Sequence, residues 1–312
     1  MEEAERRIRP HILETPLEPW PRLSLDTGAE VFLKMENLQV TRSFKARGAF
    51  NAVLSLDDAD RAKGVVTASS GNHAMAMANA LALSGVEGEI WLSEHASPGK
   101  IEALRSRGAN LHLTDSDDPE FPARKEAERT GRVFVSPYNH PKVIGGQGTV
   151  ALELLRQTER LDAVFVPVGG GGLIAGIAGY LKETSPGTQV IGCLPANSPV
   201  MSESVKAGKV FDVPWDPSIS DATVGLMEPD AITFPLCRDL VQDWVLPTED
   251  EIAAALRLVM SEHSVMVEGA AVLSVASFLK TAERWRGKTV VLVLSGSRIS
   301  LDVLAAVLSD GS

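Results

Sequence analysis

The fold can be worked out from a stretch that joins a strand to a helix, Thr41-Arg42-Ser43-Phe44-Lys45-Ala46-Arg47-Gly48. An apolar strand at residues 31–35 precedes it, and apolar residues at helical spacing follow it as far as residue 54. Lys45 lies in the first turn of this helix, off the apolar face. Anions are favoured at the N-terminus of a helix, so a charged ligand is expected close to this lysine.

Strand and helix patterns alternate along the rest of the chain. Apolar strands are predicted at residues 64–68, 89–93, 110–114 and 132–136, with helical patterns between them. This alternation is typical of parallel strands joined by crossover helices. We therefore predict an α/β fold with two open, mostly parallel twisted sheets flanked by helices.

A second block of the same kind runs through the C-terminal half. Its last strand, residues 289–294, is nearly all apolar, as expected of a strand buried on both faces. We predict a small domain at residues 64–139, inserted into a large cofactor-binding domain formed by residues 1–63 and 140–312. The three prolines at positions 16, 19 and 21 predict a loop after the first helix.

Composition narrows the class of protein. The chain has 312 residues, 44% of them hydrophobic, and a net charge of −11. Nucleic acids and anionic membranes need a basic surface, so neither is an expected partner. The two cysteines, Cys193 and Cys237, have no metal-binding spacing and indicate free thiols in a reducing compartment. No apolar stretch has the length of a signal peptide core or a membrane span, and we expect a cytoplasmic protein.

Four consecutive glycines, Gly169 to Gly172, join the strand at 162–168 to a helix that continues from Leu173. Glycine-rich backbone at a helix N-terminus can surround a phosphate with N–H groups. A tight strand–helix turn is the alternative, but each extra glycine costs conformational entropy on folding. The loop lacks the Gly-Lys-Ser/Thr of a P-loop and the spacing of a dinucleotide fingerprint. We predict a phosphate site.

A second unusual turn, Ser69-Ser70-Gly71-Asn72-His73, also follows a strand and begins a helix. Its hydroxyls, amide and free N–H groups suit a carboxylate, although a simple N-cap would use the same residues. A Gly-x-Ser-x-Gly elbow is missing, which disfavours a serine hydrolase. Ligands bind beyond the carboxyl ends of parallel strands, so these turns and the final Ser295-Gly296-Ser297-Arg298 are expected to line one crevice.

These segments resemble the fold-type II pyridoxal-phosphate enzymes, whose fold is similar to tryptophan synthase β, and most of all the serine/threonine dehydratases with their serine racemase relatives. The resemblance covers nearly the whole chain. It is carried by ordered motifs: Ser43-Phe44-Lys45-Ala46-Arg47-Gly48-Ala49, Ser69-Ser70-Gly71-Asn72-His73, Pro167-Val168-Gly169-Gly170-Gly171-Gly172-Leu173 and Ser295-Gly296. Gly145 to Glu153 and Val267 to Ala270 match as well.

The resemblance implies pyridoxal phosphate as the cofactor and a role for each matching residue. Lys45 would form a Schiff base with the cofactor and later remove the substrate Cα proton, with Ser70 as acid or base on the other face. The implied cofactor contacts are Phe44, Lys45, Asn72, Gly169, Gly170, Gly171, Gly172, Leu173, Glu268 and Ser295. The implied contacts to the substrate carboxylate are Ser69, Ser70, Asn72 and His73. A homodimer is also implied.

The implied activity is a dehydratase, or ammonia-lyase, acting on a β-hydroxy amino acid such as threonine or serine to give a 2-oxo acid and ammonia. A hydroxyl at Ser295 cannot keep the pyridine nitrogen protonated as a carboxylate would, which favours elimination over transamination. Racemisation and β-replacement remain alternatives on this scaffold, because Ser70 supplies a second acid or base. A cofactor-free binding protein is a further alternative, and Lys45 argues against it.

Three places depart from the family pattern. Leu194 and Val200 stand where metal-dependent relatives carry acidic ligands, so no metal site is predicted there. Tyr138 stands where serine racemases have asparagine. Arg298 stands where many relatives have asparagine, and it would either cap a helix or meet an acidic or polar group of the substrate.

Overall fold

A computed structural model describes residues 1–116 and 118–309, and its strands form two sheets. In chain order the strands are β1 (Leu17–Pro19), β2 (Glu30–Lys34), β3 (Val65–Ala68), β4 (Gly88–Ser93), β5 (Asn110–Thr114), β6 (Val133–Phe134), β7 (Ala163–Pro167), β8 (Gln189–Cys193), β9 (Asp243–Val245) and β10 (Thr289–Val293).

Helices connect these strands and cover both sheets. They are α1 (Glu2–Ile8), α2 (Pro21–Thr27), α3 (Lys45–Leu54), α4 (Asp58–Lys63), α5 (Asn72–Ser84), α6 (Pro98–Arg105), α7 (Glu120–Thr130), α8 (Pro141–Gln147), α9 (Thr149–Gln157), α10 (Gly172–Thr184), α11 (Val200–Ala207), α12 (Thr233–Leu240), α13 (Glu249–His263), α14 (Leu273–Thr281) and α15 (Leu301–Ser309).

The larger sheet has six strands in the order β1-β2-β10-β7-β8-β9, and β1 is its antiparallel member. The smaller sheet has the order β5-β4-β3-β6 and is parallel throughout. The predicted fold class, two mostly parallel sheets flanked by helices, is confirmed.

Both faces of the larger sheet are buried. Along β10, Val290 and Leu292 belong to one apolar cluster, while Val291 and Val293 belong to the cluster on the other face. Side chains alternate between faces along a strand, so an almost wholly apolar strand is what two covered faces require.

The core of the smaller sheet is shared with elements outside residues 64–139. Ala46 and Phe50 of α3 pack in one cluster with Val65 and Met77, and Ile8 of α1 joins them. The helix that begins with Lys45 therefore packs against the layer that carries the serine-rich turn. The predicted domain limits stay a prediction.

One local prediction was incomplete. The segment predicted as a loop contains the short strand β1 and the helix α2, which forms because Pro21 occupies its first position, where the missing N–H costs nothing.

Candidate active site

One cavity of about 600 Å³ lies at the carboxyl ends of strands from both sheets. Every residue predicted for the site lines this cavity: Phe44, Lys45, Ser69, Ser70, Asn72, His73, Gly169, Gly170, Gly171, Gly172, Leu173, Glu268 and Ser295. Segments more than 200 residues apart in the chain therefore meet in one place, as the position of the turns after parallel strands predicted.

Lys45 is the first residue of α3, and its side chain is half-buried in the cavity wall. Its Nζ donates a hydrogen bond to the carbonyl of Pro137 at 2.8 Å and lies 5.1 Å from the centroid of the Phe44 ring. Burial lowers the pKa of Lys45 to about 8, although the nearby Glu268 carboxylate opposes this shift. A much larger fraction of this amine is therefore neutral near neutral pH than for an exposed lysine, as a nucleophile requires.

The glycine loop ends β7 and begins α10. Among the described residues, the amides of Gly169, Gly170, Gly171 and Gly172 donate to no backbone carbonyl. Gly171 has a φ of 85°, which other residues rarely adopt, and Thr233 holds the loop by donating to the carbonyl of Gly170 at 2.7 Å. The loop thus presents unpaired N–H groups at a helix N-terminus, where the helix dipole favours an anion.

Tyr138 forms the floor beneath this loop. A side chain at Gly170 would place its Cβ 2.6 Å from Cδ2 of the Tyr138 ring, and a side chain at Gly172 would place its Cβ 3.0 Å from the Tyr138 Cα. The Tyr138 hydroxyl accepts a hydrogen bond from the N–H of Glu228 at 2.9 Å. Tyr138 therefore explains two of the four glycines through packing.

The serine-rich turn begins α5, whose first helical residue is Asn72. The N–H of Gly71 donates to Oγ of Ser69 at 3.2 Å, and the first-turn N–H groups of a helix have no acceptor within the helix itself. Ser69 and Ser70 are partly exposed to the cavity. These groups form a second place where an anion is favoured.

The His73 ring is turned toward the protein interior. Its Nε2 lies 3.0 Å from Oγ1 of Thr67 and 3.3 Å from the carbonyl of Val135, while its Nδ1 is buried without a partner. Burial, together with the charge of Lys45, lowers the pKa of His73 to about 3. This imidazole is therefore neutral at physiological pH.

Asn72 and Glu268 form the side of the cavity between the two sheets. Nδ2 of Asn72 donates to both carboxylate oxygens of Glu268, at 2.9 and 3.0 Å, and the N–H of Arg298 donates to Oε2 at 2.8 Å. Burial raises the pKa of Glu268 to about 7, against the opposing effect of Asn72. The backbone of Gly296 packs so closely that a Cβ there would lie 2.6 Å from Oε1.

Ser295 and the Lys45 stretch are joined by backbone contacts. The N–H of Phe44 donates to the carbonyl of Ser295 at 3.1 Å, and Ser43 forms an isolated antiparallel bridge with Gly296. The end of β10 thus sets the position of the turn before α3. The buried Ser295 and Lys45 line the same cavity for this reason.

Several cavity residues were missed from the sequence. Lys100, at the start of α6, lies with its Nζ 3.7 Å from the carboxylate of Asp221, and both line the cavity. Neither belongs to a recognisable motif, since Asp221 lies in the irregular stretch after α11. Their meeting depends on how the smaller sheet packs on the larger one.

Residues 1–116 and 118–309 contain no group of three or more His, Cys, Asp and Glu side chains placed to hold a metal ion. No helix within the same ranges is long and apolar enough to cross a membrane.

The donor set fits pyridoxal phosphate. The glycine loop offers unpaired amides for a phosphate, and Lys45 offers an amine of lowered pKa for an aldehyde. The Oδ1 atom of Asn72 is buried without a partner and faces the same cavity wall. Fold and site together define the class of fold-type II pyridoxal-phosphate enzymes.

Comparison with known proteins names the family. The family model described as "Pyridoxal-phosphate dependent enzyme" matches residues 8–296, and the chain belongs to this family. The L-threonine ammonia-lyase of Thermotoga maritima is 37% identical over 100% of this chain and 78% of that protein. The beta-hydroxyaspartate dehydratase of Paracoccus denitrificans is 37% identical over 96% of each chain. The structure of maize serine racemase superposes with a TM-score of 0.92 at 32% identity, covering 99% of this chain and 96% of that one.

These similarities confirm the predicted family, the cofactor pyridoxal phosphate and a lyase of the dehydratase kind. The roles of individual site residues stay predictions.

Proposed function

We propose that this enzyme eliminates water from a β-hydroxy amino acid and releases a 2-oxo acid and ammonia. The observation that carries the proposal is the presence of Lys45, with its lowered pKa, in one cavity with two separate anion-favouring turns. One turn suits a phosphate, and the other suits a substrate carboxylate. Relatives are named for threonine and for β-hydroxyaspartate, which share the β-hydroxy amino acid group.

The cofactor is held by residues from three segments in this proposal. Lys45 binds its aldehyde, the amides from Gly169 to Leu173 bind its phosphate, and the Phe44 ring packs beside its ring. Asn72, Glu268 and Ser295 contact the ring edge. Pyridoxal phosphate, when bound, takes up the substrate amino group and withdraws electrons from Cα.

Lys45 then removes the Cα proton, which needs the neutral amine that burial favours. Ser69, Ser70, Asn72 and the N–H of His73 hold the substrate carboxylate at the start of α5. The neutral, inward-facing imidazole of His73 positions this turn through Thr67 and does not transfer a proton. Ser70 is the acid or base on the other face.

The proposal is tested by incubating the holoenzyme with serine, threonine, hydroxyaspartate and phenylserine and measuring 2-oxo acid. Release of oxo acid and ammonia in equal amounts from at least one of them is the expected result. If none of the β-hydroxy amino acids yields an oxo acid, the dehydratase proposal is wrong.

Ser70 gives racemisation a specific basis as a second activity, because its side chain is partly exposed to the cavity that Lys45 lines. Chiral analysis of the recovered amino acid, run beside the oxo-acid assay, separates the two reactions. Inversion that exceeds oxo-acid release would make racemisation the main activity.

We also propose a cytoplasmic homodimer. The free, buried thiols of Cys193 and Cys237 suit a reducing compartment, while the dimer rests on family resemblance. Light scattering coupled to size exclusion measures the mass of the assembly directly; a 33.3 kDa species would contradict the dimer.

A further inference from the structure

Arg298 is a cation in the cavity with no counter-ion. It follows β10, and its half-buried side chain lines the cavity together with Lys45 and Ser70. Its Nε is buried without a hydrogen-bond partner. Within residues 1–116 and 118–309, no ion pair or side-chain hydrogen bond uses the Arg298 guanidinium. A buried donor such as this Nε normally has a partner, because leaving it without one is costly.

A structural role as a helix cap does not explain Arg298. Helix α15 begins at Leu301, and Oγ of Ser300 already accepts the N–H of Val303 at 3.3 Å. An N-terminal cap must accept hydrogen bonds, whereas guanidinium only donates them. A positive charge at this end of a helix also opposes the helix dipole.

The acidic groups nearby do not neutralise Arg298 either. Oε2 of Glu268 is occupied by the backbone N–H of Arg298 and by Asn72. Asp221 lies 3.7 Å from Lys100. Burial and the charge of Arg107 lower the pKa of Arg298, with Glu268 only opposing that shift, so this end of the cavity favours an added anion.

We infer that the preferred substrate carries a second carboxylate, and that this carboxylate pairs with Arg298; the inference rests on the proposed dehydratase function. The smallest such β-hydroxy amino acid is 3-hydroxyaspartate. The serine-rich turn holds one carboxylate, and Arg298 holds the other through charge-assisted hydrogen bonds.

The reaction balances without an oxidant or reductant. Lys45 takes the Cα proton, the Cβ–O bond breaks, and the hydroxyl leaves with a proton as water. The resulting enamine takes a proton at Cβ to become an imine, which water hydrolyses to oxaloacetate and ammonia. One water is lost and one is consumed.

The test compares kcat/KM of the holoenzyme for 3-hydroxyaspartate, serine and threonine. We expect the diacid to be preferred, and Arg298→Ala to reduce that preference on the order of 100-fold, the loss expected for one charge-assisted pair. Arg298→Lys should restore part of it. Arg129→Ala is the matched control, because it removes an exposed arginine that pairs with Glu126 and does not line the cavity, and it should leave the preference unchanged.

Preference for serine or threonine in the wild type, or an unchanged preference in Arg298→Ala, would overturn the inference and leave the dehydratase proposal standing. Binding of aspartate and alanine, which lack the leaving hydroxyl, separates the two failures if no oxo acid forms at all. Tighter binding of aspartate that is lost in Arg298→Ala, seen in the visible absorbance of the holoenzyme, supports the second-carboxylate site. Equal binding of the two amino acids overturns it.

Discussion

Lys45 and Arg47 are two residues apart on α3, yet their charges lie in two different kinds of surroundings. Arg47 belongs to a buried network in which carboxylates surround it. Lys45 faces the cavity, where its Nζ meets one carbonyl. Positions two apart on a helix point in different directions, so one short helix serves both regions.

In the buried network, the Arg47 guanidinium finds its hydrogen-bond partners within the chain. Arg47 donates to both oxygens of Glu36 at 2.8 and 2.7 Å and to both oxygens of Glu153 at 2.7 and 2.8 Å, and it also reaches Thr149 at 3.1 Å. Lys34 donates to Glu153 at 2.6 Å. Burial alone would raise the pKa of Glu153, but Arg47 and Lys34 lower it to about 2. These hydrogen bonds join α3 to β2 through Lys34, to Glu36 and to α9 through Glu153, which makes the network a clamp on α3.

The cavity, in contrast, contains polar groups that find no hydrogen-bond partner within the chain. Asn72, His73 and Arg298 each have a buried polar atom without a partner, and the pKa values of Lys45 and Glu268 move toward neutrality. Polar groups that find no partner inside the chain are suited to a ligand, and shifted pKa values are typical of catalytic groups. The two charged groups of α3 thus differ in their partners: the Arg47 guanidinium is paired within the chain, whereas Lys45 lies among polar atoms that have no partner in the chain.

The largest expected effect comes from removing the cavity amine. Lys45→Ala should lower oxo-acid release by at least about 10⁴-fold, the upper range for losing an acid–base group, because the same amine also holds the cofactor. The visible absorbance of the holoenzyme should disappear, while circular dichroism stays unchanged. Lys206→Ala, an exposed lysine on α11, is the control. A variant of Lys45 that keeps absorbance and rate would remove this residue from the mechanism.

Removing Arg47, the cation of the buried network, should lower stability. Arg47→Ala removes the buried cation that pairs with Glu36 and one of the cations that pair with Glu153, and we expect the free energy of unfolding to fall by about 3–5 kcal/mol. Urea denaturation measures this, with Arg47→Lys as a milder variant in case the alanine form does not fold. Arg22→Ala, which breaks an exposed pair with Asp26, should leave stability close to wild type. An Arg47→Ala protein as stable as wild type would mean that the network does not clamp the helix.

The pH dependence of stability distinguishes Glu268, whose pKa is raised, from Glu153 of the buried network, whose pKa is lowered. The pKa of Glu268 is raised, so its stabilising contribution is complete below pH 4.5 and is lost as the pH rises through about 7, a loss of about 3 kcal/mol. The lowered pKa of Lys45, about 8, adds a rise in stability only near the upper end of this window, so the difference between wild type and Glu268→Gln is the quantity that reports Glu268. In the cofactor-free protein, Glu268→Gln should abolish this loss relative to wild type.

Denaturation at several pH values between 4 and 8 measures the effect, and Glu283→Gln at an exposed carboxylate is the control. Parallel profiles for wild type and Glu268→Gln would show that folding does not raise the pKa of Glu268.

The sequence predicted which segments meet, and it did so for a physical reason. The turns after parallel strands lie at one edge of a sheet, so Gly169 and Ser295 of the larger sheet converge whatever the side chains between them, and Ser69 lies at the same edge of the smaller sheet. The sequence did not predict which side chains pair with one another. Arg47 and Glu153 are 106 residues apart, and local periodicity carries no information about such a pair. The inward turn of the His73 ring likewise depends on Thr67 and Val135 from two neighbouring strands.

The smallest expected effect is at Gly170 in the glycine loop. The glycine loop has amides that are free of backbone partners, while Gly170 packs so closely on the Tyr138 ring that an added Cβ would lie 2.6 Å from Cδ2. Gly170→Ala would push a methyl group against that ring, and such overpacking costs about 1–3 kcal/mol. We therefore expect pyridoxal phosphate to bind about tenfold more weakly, measured by titrating the cofactor-free protein, because the amides shift with the loop. Gly187→Ala, with no atom within 4 Å of the added Cβ, should change nothing. Unchanged cofactor affinity in Gly170→Ala would show that the added methyl group is accommodated without moving the amides of the loop. The Tyr138 ring would then be less rigid than its packing against Gly170 indicates.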